Sequence, residues 1–180
     1  MKMKKVLIFL CFFGWCLWSC NPIQSYSDIP EIHFKSLVFE DRMNTLGDPI
    51  KNTPVLTFSF IDGDGDLGVR PIDMQSGDRV SRIYYTWYQK LPDRTYVQHQ
   101  FPDTTFTQSS EIPYEEVMNK DNAQNKTLKG SIEIVLSMPI NTQGVDTMRI
   151  EFFIVDRARN KSNVEYTPDF SILPPPVSTH

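Results

Sequence analysis

Apolar residues recur at every second position in several stretches of this chain, and no stretch makes a convincing helix longer than a turn or two. In residues 55–61, Leu56, Phe58 and Phe60 share one face and Thr57 and Ser59 the other. In 147–156, Met148, Ile150, Phe152 and Ile154 alternate with Arg149 and Glu151. Residues 79–91 repeat the pattern with Ile83, Tyr85 and Trp87 inward, and 128–138 with Ile132, Ile134 and Leu136. A period of two is the signature of a half-buried strand. Residues 31–41 change phase: Ile32 and Phe34 share one parity, Leu37 and Phe39 the other, which predicts a bulge near Lys35 and Ser36.

Weaker strands are expected over 95–101 and 163–172, the latter closing the sheet. Turn residues punctuate the series: Gly47, Asp48-Pro49 and Asn52 in 44–54, Pro92-Asp93, 141–146, and the basic loop 157–162. From 102 to 127 the pattern fades, with a single helical turn expected over 113–119. About seven short strands with turns between them predict an immunoglobulin-like β-sandwich over residues 31–172. Trp87 on the third predicted strand suits that fold. The inter-sheet disulfide of antibody domains has no cysteines to form it, so Phe58 or Phe60 and Phe152 are expected to fill its place.

Residues 1–19 read as an export signal: Lys2, Lys4 and Lys5 precede an apolar run from Val6 to about Trp18. That run is shorter than the roughly 20 residues a spanning helix needs. It ends in Leu17-Trp18-Ser19-Cys20, which resembles the lipobox of bacterial lipoproteins, where cleavage precedes a cysteine that then carries lipid. Of 3 cysteines, Cys11 and Cys16 fall inside the signal. The mature chain then keeps Cys20 alone, which excludes an internal disulfide and leaves a thiol that lipidation accounts for. Residues 20–30 form a polar, proline-bounded tether and 173–180 a proline-rich tail. No acidic cluster follows Cys20, so the periplasmic side of the outer membrane is expected rather than the cell surface. Net charge is −4, and loss of the three signal lysines makes it more acidic. With no basic run, nucleic acid is excluded as a partner.

The second predicted strand runs directly into Asp62-Gly63-Asp64-Gly65-Asp66. Three carboxylates at alternate positions repel one another unless something screens them. The glycines allow sharp curvature, and converging carboxylates suit calcium, which takes six to eight oxygens. Asp62, Asp64 and Asp66 match the first, third and fifth positions of an EF-hand loop, with Asp73 at the twelfth. Leu67 in place of the required glycine, Pro71, and the lack of flanking helices exclude an EF-hand proper. In a sandwich, the loop after the sixth predicted strand lies at the same end as this one, together with Asp28 and Glu31. Asp156 and Asn160 can therefore complete a calcium site. Alternatively, Arg157 or Arg159 neutralises the aspartates, or the run is a solvated Asp-Gly turn.

The strand, the Phe60–Gly68 loop and the late Val155-Asp156-Arg157-Ala158-Arg159-Asn160-Lys161-Ser162-Asn163 segment together resemble a group of Gram-negative lipoproteins. These carry a lipobox, one Ig-like domain and an FxDGDGDxG loop. The resemblance covers most of the mature chain, is most specific at Phe60–Gly68, and implies fold and location but no established activity.

Signatures of catalysis are missing from the sequence. His33, His99 and His180 have no zinc-ligand spacing, and His33 and His99 are expected at exposed strand positions. No G-x-S-x-G elbow or P-loop occurs, and the adjacent Glu115 and Glu116 diverge on most backbones. The expected function is a non-catalytic, lipid-anchored envelope module stabilised by Ca²⁺ and contacting an envelope protein. The alternative is a glycan-binding module that uses the outward-facing Tyr84 and Tyr88. Asp103-Thr104-Thr105 and Asp146-Thr147-Met148 resemble the short acceptor motif for O-glycosylation in some of these bacteria.

Overall fold

A computed structural model describes residues 25–43, 46–68, 81–99, 107–112, 127–139 and 144–172. Cys20, the signal, the predicted helical turn at 113–119, Glu115, Glu116, His180, Asp73, Pro71 and the threonine motif at 103–105 lie outside the described residues. The strands are β1 (Glu31–Met43), β2 (Pro49–Asp62), β3 (Arg82–Lys90), β4 (Tyr96–Gln98), β5 (Thr107–Glu111), β6 (Leu128–Val135), β7 (Thr147–Val155), β8 (Glu165–Tyr166) and β9 (Phe170–Ser171). All pairings are antiparallel, and the strands make two sheets. One sheet has the order β1-β2-β6; the other is β4-β3-β7-β8, with β5 also on β3 and β9 also on β7. First, second and sixth strands thus face third and seventh, which is the immunoglobulin-like β-sandwich the alternation predicts.

The inward parities are those of the sequence. Leu56, Phe58, Ile83, Trp87, Met148, Ile150, Phe152 and Ile154 are each 0% exposed and form one cluster between the sheets. Full burial of such side chains stabilises by roughly 1.5–3 kcal/mol each. Phe58 and Phe152 meet across the sheets with ring centroids 5.6 Å apart, in the space a disulfide would otherwise bridge. The bulge in β1 is also present: the register with β2 shifts between Phe34 and Ser36, and again between Glu40 and Arg42. The shift turns Leu37 toward the core despite its opposite parity to Phe34.

Three features differ from the expectations. First, β2 begins at Pro49 rather than Val55, because Ile50 and Pro49 pair with Arg42 and Met43. The turn residues there serve a bulge within the ribbon: Asn52 takes a left-handed φ of 56° and its N–H donates to Asp41 Oδ1. Second, β5 lies in the faded stretch. Its sequence TQSSE has no apolar alternation, since it is held as an edge strand by backbone pairing to β3. Third, the closing strand is broken into β8 and β9. Side-chain hydroxyls replace backbone acceptors there: Ile150 N–H donates to Thr167 Oγ1 and Ile154 N–H to Ser162 Oγ.

Candidate metal centre

The period of two that builds the core also builds the site. Asp62 continues the inward series Leu56, Phe58, Phe60 to the end of β2, and Asp156 continues Met148, Ile150, Phe152, Ile154 just beyond β7. The two carboxylates therefore enter one end of the core from opposite sheets, Asp62 at 0% and Asp156 at 1% exposure. Asp64 and Asp66 are half-buried and join them through the loop, with Gly65 (φ 69°) and Gly68 (φ 95°) in the left-handed region that favours glycine. Leu67 pins the far side of the loop by burying its side chain in the core.

One oxygen of each flanking carboxylate is fixed by hydrogen bonding. Asp62 Oδ2 accepts from Leu67 N–H at 3.0 Å, and Asp66 Oδ2 from Ala158 N–H at 2.7 Å. Asp156 accepts from Asn160 N–H at 2.7 Å and from Asn160 Nδ2 at 2.9 Å. The opposite oxygens are the notable ones: Oδ1 of Asp62, Asp64 and Asp66 are buried with no hydrogen-bond partner among the described residues. Asp62, Asp64, Asp66 and Asp156 each offer an oxygen, all within 4.8 Å of one another. Four acidic groups so close, two of them sealed from water, can hold a metal ion.

Electrostatics point the same way. Burial, then the charges of Asp64 and Asp66, push the Asp62 carboxyl up to about 7. Burial, then Asp156 and Asp64, raise Asp66 to about 6, against smaller lowering by Ala158 N–H and Arg157. Asp156 is raised too, by burial first. A carboxylate held away from water and beside like charges favours its neutral form unless a cation supplies the missing charge.

Arg157 supplies part of that charge, its guanidinium being one of the influences that lower Asp66. Arg157 Nη1 donates to the backbone carbonyls of Gly68 (2.8 Å) and Leu67 (3.5 Å), so the guanidinium braces the loop from its side. Arg159 is exposed and takes a left-handed φ of 73° in the β7–β8 turn. Asn160 enters through its amide nitrogen, which donates to Asp156 Oδ2 and to Asp28 O; it orients Asp156.

Tyr84 and Tyr88 lie on the outer face of the β3 sheet, both half-buried. Tyr84 stacks on Phe153 (centroids 5.2 Å, 15°), and Lys161 covers Phe153. The Tyr88 hydroxyl donates to Glu151 Oε2 and accepts from Gln98 Nε2, and its ring lies beside the Arg149 guanidinium, which also packs over Tyr96 and Tyr166. His33 is exposed as expected, between Glu31 and Glu165. His99 is buried, contrary to expectation: β4 ends beside it, its N–H donates to Trp87 O, and its ring meets Gln89.

Comparison with protein-family models, curated proteins and solved structures gives no match. Fold and site together define an immunoglobulin-like β-sandwich with a buried four-aspartate cluster at one end.

Proposed function

We propose that the cluster is a structural calcium site and that the protein is a non-catalytic, lipid-anchored module of the cell envelope. The observation that carries the metal reading is the set of inward Oδ1 atoms on Asp62, Asp64 and Asp66, buried without a partner. The donor set is all oxygen, which suits hard cations rather than zinc or copper. The oxygens lie within 4.8 Å of one another, close enough for one ion to reach all four, and the flexible coordination of Ca²⁺ suits an irregular set of carboxylates better than the strict octahedron of Mg²⁺. Bound there, the ion ties the β2–β3 loop to the β7–β8 turn and so links the two sheets at one end.

Thermal melting of the purified protein in calcium and in chelator tests this. Calcium is expected to raise Tm in the parent protein and leave Asp64→Asn unmoved; equal shifts in both overturn the site. The anchor rests on the lipobox-like Leu17-Trp18-Ser19-Cys20, and the periplasmic side of the outer membrane is the location proposed, because no acidic cluster follows Cys20 in the sequence. Cys20→Ser is expected to abolish lipid labelling and release the protein from the membrane fraction. Glycan binding through Tyr84 and Tyr88 has less support: Phe153 occupies one ring face of Tyr84, and the Tyr88 hydroxyl is already used. A glycan array with Tyr84→Ala and Tyr88→Ala as controls separates the two readings.

A further inference from the structure

The residues that lead into β1 are built into the wall of the acidic loop. Gly63 lies between two of the aspartates, and its N–H donates to Ser27 O at 2.9 Å. The approach is too close for any side chain, since a Cβ on Gly63 would sit 2.3 Å from Ser27 O and 2.6 Å from Tyr26 O. The Gly63 carbonyl is held in turn by Thr127 Oγ1 at 3.4 Å. A second link runs through Asn160, whose Nδ2 bonds both Asp156 Oδ2 (2.9 Å) and Asp28 O (3.3 Å). A third contact seats the aromatic ring: Lys129 Nζ stands 3.5 Å over the centroid of Tyr26. Two of the candidate ligand positions, on opposite sheets, are thus each one residue removed from the backbone of residues 27 and 28.

We infer that metal at the four-aspartate site clamps the chain's own leader, residues 26–28, against the sandwich, so that the hold on this segment is calcium-dependent. The inference rests on the calcium reading above. With the ion present, Asp62 and Asp64 converge and fix the Gly63 peptide between them, which aims its N–H at Ser27. Asp156 is fixed likewise, and with it Asn160 and the bond to Asp28. Without the ion the carboxylates repel. The Gly63 peptide turns, and both backbone bonds to the leader weaken together. Ser27 and Asp28 are themselves exposed, so among the described residues these backbone bonds are their main hold on the loop. The mechanical consequence concerns reach. From Cys20 to Tyr26, extended chain spans at most about 20 Å. A clamped Tyr26 keeps the acidic end of the domain within that distance of a lipid on Cys20, and a released leader lets the domain swing further out.

Chymotrypsin cleavage after Tyr26, followed by mass spectrometry on the whole protein in detergent, tests the clamp with calcium alone as probe. Calcium is expected to slow this cleavage at least tenfold, while cleavage after Tyr166, far from the loop in sequence and 43% exposed, slows much less. Asp64→Asn is expected to cleave after Tyr26 at the calcium-free rate under both conditions. Lys129→Met, which leaves every aspartate in place, is expected to keep the calcium-induced rise in Tm but to be cleaved at least threefold faster than the parent in calcium. Calcium binding with unchanged cleavage after Tyr26, equal slowing at Tyr26 and Tyr166, or full protection in Lys129→Met overturns the clamp and leaves the metal site standing. Absence of calcium binding by titration calorimetry overturns both.

Discussion

Asn163 holds both backbone polar groups of Ile32: its Oδ1 accepts from Ile32 N–H and its Nδ2 donates to Ile32 O, each at 2.8 Å. The side chain thereby acts as a one-residue strand on the edge of β1 and stitches the two sheets together beside the acidic loop. Ile32 is 0% exposed, so its backbone has little water to turn to. Asn163→Ala is expected to cost about 2 kcal/mol, the penalty for orphaned buried groups, in chemical denaturation. A loss under about 0.5 kcal/mol, the range of ordinary surface changes, contradicts this role.

Asp62→Asn separates the metal reading from simple stability. The amide keeps an oxygen for Leu67 N–H and removes one buried negative charge. Without metal the variant is expected to melt several degrees above the parent, because like charges no longer crowd the end of the core. In calcium the order reverses, since the parent gains the ion and the variant does not. A variant less stable than the parent in chelator, with its calcium response intact, sinks the assignment.

The pH dependence has a definite sign. Asp62 titrates near 7 and Asp66 near 6 in the fold, both above the ordinary carboxylate value. Between about pH 4 and 7 the metal-free folded state binds more protons than the unfolded chain, so its stability rises as pH falls. Tm measured in chelator is expected to increase from pH 8 to pH 5. The lowered carboxyls of Asp93 and Asp169 oppose this only at still lower pH. In saturating calcium the trend is expected to invert, because protons compete with the ion for the same oxygens. A chelator curve that falls from pH 8 to pH 5 contradicts the burial and crowding of these groups.

Phe58 and Phe152 carry the cross-sheet contact that replaces a crosslink. Each Phe→Ala change is expected to cost about 3–5 kcal/mol through lost burial and a cavity. In a Phe58→Leu, Phe152→Leu cycle, the coupling is expected to be about 1 kcal/mol, the excess an aromatic pair carries beyond its area. Strict additivity in the denaturation energies shows that the rings do not meet.

Much of this architecture is determined by residue order alone. Alternation marks β2, β3, β6 and β7 because each has one face against the core, and the phase change marks the β1 bulge. The acidic run marks the loop. Even the burial of Asp62 and Asp156 is written in the parity they share with the phenylalanines and isoleucines before them. Only the tertiary structure decided the rest. β5 and the ends of the closing strand carry no apolar code, since edge strands are held by backbone partners, and by Ser162 and Thr167 hydroxyls, that lie far away in sequence. His99, read as exposed, is buried because Trp87 O and Gln89 receive it. Above all, four aspartates from two sheets and a leader seated on Gly63 meet only when the sandwich closes. Periodicity is a local property, whereas the distance between residues 27, 63 and 156 is set by the packing of both sheets at once.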